Sequence, residues 1–127
     1  NLGLVTEAAA SYLAPLAIGP KQAAELIYTA DWVDANRALE YGIATRIYPD
    51  EDVLAEATTK ARQIAQWPVS SPVEMKRLIK SFHAESIAKA RSLENDAMGR
   101  LFGGPENKEA ISAFIEKRQP DFKQFRK

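Results

Sequence analysis

Residues 43–48 alternate, with β-branched side chains at 43, 45 and 47 before Pro49 stops the run, and they are the one segment that reads as a β-strand. A lone strand cannot satisfy its own N–H and C=O groups, so it has to join a sheet built from other segments. Every other patterned stretch reads as helix. The expected fold is therefore mainly α, with six or seven helices and one short strand. Several of these helices are short and apolar on two sides, so the core is expected to be completed by something outside these 127 residues.

Punctuation by proline, glycine and capping residues divides the chain. Thr6 is placed to cap a first helix over residues 7–16, and Gly19-Pro20 closes it and opens the next. That second helix covers residues 21–29, with Ala23, Ala24, Ile27 and Tyr28 on one face. Asp34 caps a short helix over residues 35–41 that Gly42 ends. Asp50-Glu51-Asp52 puts negative charge at the start of a helix whose stripe is Leu54, Ala57, Ala61, Ile64 and Ala65, and Trp67-Pro68 ends it. Ser71-Pro72-Val73-Glu74 reads as a capping box ahead of Met75, Leu78, Ile79 and Phe82. After a break near residues 84–86, a second stripe runs through Ile87, Ala90, Leu93, Ala97 and Leu101. Gly103-Gly104-Pro105 is a loop, and residues 105–118 form a last helix with Ile111, Phe114 and Ile115 inward. Trp32 and Trp67 read as packing residues, and His83 as a surface or partly buried histidine.

Composition removes several classes of function. Apolar residues make up 46% and charged residues 27%, the balance of a globular protein, and no apolar stretch escapes charge for long enough to span a bilayer. Cysteine is absent and histidine occurs once, which excludes a disulfide scaffold, a thiolate or histidine-cluster metal site and a cysteine nucleophile. Seventeen basic residues balance seventeen acidic ones, so neither nucleic acid nor a membrane is an expected partner. The balance conceals a net charge of −4 over residues 1–68 and +4 over residues 69–127. Two solvated surfaces of opposite sign would explain this, as would a basic half that meets an anionic ligand or a neighbouring subunit. Residues 1–5 lack the basic flank of a signal peptide and read as the interior of something longer.

Taken in order, Leu2-Gly3-Leu4-Val5-Thr6-Glu7-Ala8-Ala9-Ala10-Ser11, Pro15 with Ile18-Gly19, Ala23 with Glu25-Leu26, Ala35 with Ala38, and Tyr41-Gly42-Ile43-Ala44 form a specific succession. It closes on Glu109-Ala110-Ile111-Ser112-Ala113-Phe114-Ile115-Glu116-Lys117-Arg118-Gln119-Pro120-Asp121-Phe122. Order and spacing resemble the enoyl-CoA hydratase/isomerase (crotonase) superfamily across nearly the whole chain, closest to its Δ3,Δ2-enoyl-CoA isomerase-like branch. Three positions depart from that pattern: Thr6 stands where the family usually has Pro, Ala30 where it has Gly and Arg37 where it has Glu.

The resemblance implies the C-terminal helical portion of a crotonase-type α/β fold. Residues 1–68 would be the end of the core and residues 69–127 a helical oligomerisation segment. It implies an acyl-CoA substrate, no resident cofactor beyond the coenzyme A of that substrate, no metal, a homo-oligomer (trimer or hexamer) and a cytoplasmic location. Glu7 would be the catalytic residue: in the isomerase branch a glutamate here takes a proton from C2 of the acyl chain and returns it to C4. Taken by itself, Glu7 is either such an acid in an apolar pocket, with a raised pKa, or a favourable charge in a helix's first turn. Phe114 and Lys117 would hold coenzyme A bound to a neighbouring subunit, the first by packing and the second by charge; otherwise they are a core aromatic and a cation at a helix end. The backbone donors of the oxyanion hole would precede Asn1, so the isolated chain is expected to be inactive. The rival expectation is a non-catalytic helical module for assembly.

Overall fold

The computed structural model describes residues 2–126. Its elements in chain order are α1 (Ala10–Ile18), α2 (Pro20–Thr29), α3 (Ala35–Glu40), α4 (Val53–Ala65), α5 (Ser70–Ser81), α6 (Ala84–Leu101), α7 (Pro105–Ile115) and a short 3-10 helix, Phe122–Phe125. The mainly helical expectation holds. The expected strand does not form: residues 43–48 are irregular, and no strand occurs among the described residues. With no second strand to exchange hydrogen bonds, the alternating pattern has nothing to pair with, and Thr45, Arg46 and Tyr48 instead border a cleft against α4.

Two helix starts differ from the capping pattern. Thr6 caps nothing; α1 begins at Ala10 because Ala8 (φ 60°) and Ala9 (φ 65°) turn left-handed just before it. That conformation costs an L-residue about 1–2 kcal/mol, so something has to hold the turn in place. Helix α5 begins at Ser70, one residue before the expected cap, with Pro72 within its first turn, where a missing N–H costs no intrahelical bond. Glu74 pairs with Arg77 at 2.7 Å instead of reaching back to a cap. Asp34 behaves as expected, its Oδ1 accepting from Arg37 N at 2.8 Å. Gly19 (φ 85°) ends α1 through its N–H to Pro15 O and starts α2, with Pro20 in the first position.

The core is small and made of small residues. Helix α1 packs on α2 and on α6, and Ala9, Ile18, Ala23 and Ala90 are the buried apolar residues there, with Ala110 and Ala113 buried on α7. Alanines let helix axes approach closely. Against expectation, the larger apolar residues point outward: Leu54 and Ile64 on α4, Met75, Leu78 and Ile79 on α5, Phe82 just past its end, and Ile111, Phe114 and Ile115 on α7 are all exposed. Tyr28 on α2 and Trp67 are exposed too, and Trp32 is 99% exposed, so neither tryptophan packs within the chain. The break between α5 and α6 falls at Phe82–His83, before the position expected for it, and α7 stops at Ile115 rather than at 118. His83 is half-buried and shares a 2.9 Å hydrogen bond between its Nδ1 and Tyr12 OH, tying that break to α1. Among the described residues no helix is long and apolar enough to cross a membrane.

Candidate active site

The segment ahead of α1 carries the residue singled out from sequence. Leu2, Leu4, Val5, Thr6 and Glu7 line an open cleft of about 700 Å³, closed on the other sides by Ile27, Tyr28 and Ala30 from the end of α2 and by Met98 from α6. Glu7 alone among these residues carries a charge. It is exposed rather than buried, and it precedes the helix rather than starting it; its carbonyl accepts from Ala10 N at 3.0 Å. Its carboxylate has no hydrogen-bond or ion-pair partner among the described residues, which leaves both oxygens available to an incoming proton donor.

Two buried polar side chains that carry no signal in the sequence pattern hold this segment at either end. Glu94, on α6, is only 5% exposed. Its Oε2 accepts from Ala9 N at 2.6 Å and its Oε1 from Ser11 N at 2.8 Å, so it caps α1 from more than eighty residues away. Burial alone would raise the Glu94 carboxyl. The hydrogen bonds from Ser11 and Ala9, with the charge of Arg91, outweigh burial and hold it below the usual carboxylate range. At the other end Asn107, 2% exposed, donates from Nδ2 to Leu2 O at 2.8 Å and accepts from Gly103 N at 3.0 Å. Gly3 lies so close to the start of α7 that an added Cβ would meet the Glu106 carbonyl at 3.0 Å, and its φ of +64° is itself a glycine conformation.

Phe114 and Lys117 do not line the cleft. Phe114 is 80% exposed on α7, and Lys117 lies just past the end of that helix with φ 55°. The Lys117 N–H donates to Phe114 O at 3.2 Å and the Arg118 N–H to Ala113 O at 2.9 Å, the two bonds of a Schellman ending in which glycine usually takes the place of Lys117. Thus the structure brings Glu7, Glu94 and Asn107 together around one segment and leaves Phe114 and Lys117 on a separate exposed end.

The departure at Arg37 is absorbed locally: its guanidinium pairs with Glu25 at 2.5 Å and hydrogen-bonds Tyr41 OH at 2.7 Å. At Ala30 the chain adopts the left-handed conformation (φ 52°) that glycine accepts more readily.

Comparison with known proteins gives a consistent result. The chain is 32% identical over 126 residues to a crotonyl-CoA hydratase of Syntrophomonas wolfei, covering 96% of this chain and 47% of the relative. Its fold is similar to that of an enoyl-CoA hydratase/isomerase from Pseudoalteromonas atlantica T6c, with a TM-score of 0.88 and 36% identity over 95% of this chain and 49% of that one. It is equally similar to an enoyl-CoA hydratase from Mycobacterium avium subsp. paratuberculosis K-10, with a TM-score of 0.89 and 26% identity over the same shares. The chain spans about half the length of the relatives it matches. Matching the family over residues 1–126, it belongs to the enoyl-CoA hydratase/isomerase family.

Proposed function

We propose that the chain is the C-terminal part of an acyl-CoA enzyme that works on unsaturated fatty acyl thioesters through an enolate, with Glu7 as its proton carrier. The observation that carries this reading is the lone unpartnered carboxylate in an otherwise uncharged cleft. In the isomerisation Glu7 takes the C2 proton of a 3-enoyl thioester, the electron pair moves onto the thioester oxygen, and the same proton returns at C4 to give the 2-enoyl product. Backbone N–H donors from the rest of the protein stabilise the enolate, and losing one such donor costs about 2.7–4 kcal/mol. Phe114 and Lys117 serve the coenzyme A moiety, their exposure leaving both free to reach a ligand on another subunit.

Hydration is the other activity that the relatives' names suggest, and the product separates the two. The intact protein is offered a 3-enoyl-CoA and a 2-enoyl-CoA, and conversion of the first to the 2-enoyl isomer is expected. Formation of the 3-hydroxy thioester alone would move the chemistry to residues outside this chain. Turnover of neither substrate would contradict the reading.

The open apolar faces of α4 and α5 favour a second reading, assembly with further copies of the same protein. Opposite net charge on the two halves of the chain supports self-complementary contact. Light scattering at high concentration is expected to report oligomers, and a clean monomer would count against it.

A further inference from the structure

The residue after Glu7 begins a turn that an ordinary side chain resists. Ala8 and Ala9 are consecutive and both left-handed, and neither is glycine. Such a conformation persists where its surroundings over-determine it, and it occurs preferentially where geometry matters for chemistry. What over-determines it here is one carboxylate, because Glu94 takes the N–H of Ala9 with one oxygen and the N–H of Ser11 with the other. Released from Glu94, the turn has every reason to relax toward ordinary backbone, and Glu7 is joined to it directly.

We propose that Glu94 is a positioning residue for Glu7: by clamping the left-handed Ala8-Ala9 turn from α6, it fixes where the Glu7 carboxylate stands in the cleft. This rests on the reading of Glu7 as the proton carrier. Glu94 does not line the cleft and takes no part in the proton transfer. Its effect is on the reach and direction of Glu7, and misplacement by about 1 Å can cost a hundredfold in rate. Glycine at position 8 adopts the same backbone without strain, so it should make the turn less dependent on the clamp. Ala8 is exposed and loses no packing on that change.

The test uses the intact protein and the Glu7-dependent reaction. Glu94→Gln keeps the shape but turns an NH2 donor against one of the two N–H groups. Its kcat is expected to fall about 10–100-fold with KM changed by less than about twofold. The amide protons of Ala9 and Ser11 should exchange faster with solvent. Adding Ala8→Gly to Glu94→Gln should recover part of the lost kcat, which a purely structural loss in α6 would not allow. Glu94→Gln with kcat within about twofold of the parent, or a loss that Ala8→Gly leaves untouched, overturns the proposal. If Glu94→Gln does not fold, Glu94→Asp, one methylene too short to hold both N–H groups, is judged by the same criteria. Glu7→Gln is measured alongside. Parental turnover there overturns the proton-carrier reading and this proposal with it, whereas an inactive Glu7→Gln beside a fully active Glu94→Gln overturns this proposal alone.

Discussion

Arg118 closes on Glu109 with both terminal guanidinium nitrogens, Nη1 to Oε1 at 2.5 Å and Nη2 to Oε2 at 3.1 Å. The same carboxylate accepts from Asp121 N at 2.8 Å, so the chain after α7 is folded back onto the helix. Glu116 faces the guanidinium as well, at 2.6 Å. The Arg118 hydrogen bonds, followed by the Asp121 N–H, hold the Glu109 carboxyl at about 2, well below its ordinary 4.5. A carboxyl whose pKa falls on folding stabilises the fold above its unfolded value and loses that contribution as pH drops through the folded one. The clasp's stabilisation is therefore expected to be complete above pH 4.5 and to be lost as pH falls from 4.5 toward about 2, while the Glu109 carboxyl of the folded protein keeps its charge until pH nears about 2. Carboxyl-carbon NMR of Glu109 checks this, and a midpoint at the ordinary value would contradict it.

Lys117 occupies a left-handed position that glycine would take without strain. Relief of about 1–2 kcal/mol of strain, less the greater flexibility of unfolded glycine, predicts that Lys117→Gly stabilises the fold by about 0.5–1 kcal/mol. If the ammonium also meets coenzyme A, the same change should weaken acyl-CoA binding by about 2–5-fold, the range of an exposed charge contact. Thermal denaturation and calorimetric titration read the two effects separately. Stabilisation with unchanged affinity would reduce Lys117 to a helix ending.

Asn107 is buried with both ends of its amide in use. Asn107→Ala leaves Leu2 O and Gly103 N without their partner and is expected to cost about 1–3 kcal/mol. Urea denaturation would show this as a lower midpoint at unchanged slope. A loss below about 0.5 kcal/mol would mean that water replaces the amide.

The helices were legible because proline, glycine and Asp34 mark their ends in the sequence itself, and α2 and α3 lie within a residue of expectation. What lies inward was read less well, for one physical reason. The apolar spacing on α6 points to Leu93, which is 59% exposed, whereas the same spacing from Ile87 and Ala90 to Ala97 passes equally well through Glu94. Hydrophobicity favours the apolar neighbour over the charged Glu94, although a buried carboxylate is satisfied when backbone N–H groups come to it. On α7 the inward residues are Asn107, Ala110 and Ala113, and the segment at Gly3 packs closely against the backbone at Glu106 and Asn107. The strand at 43–48 failed because sheet formation depends on a partner that local alternation cannot supply. Glu7 was found through its place in a family pattern; nothing in its immediate neighbours separates a proton carrier from a helix-start acid.

Glu7→Gln in the intact protein is the most direct measurement of the central claim. The amide keeps the size and much of the hydrogen bonding of the acid but cannot carry a proton between C2 and C4. Loss of a positioned acid–base group typically costs about 10²–10⁴-fold, so kcat for 3-enoyl-CoA isomerisation should fall by that much. KM should stay nearly constant, because in the proposed reading coenzyme A is held by Phe114 and Lys117, which do not line the cleft. Near-parental isomerase turnover by Glu7→Gln would contradict the assignment outright.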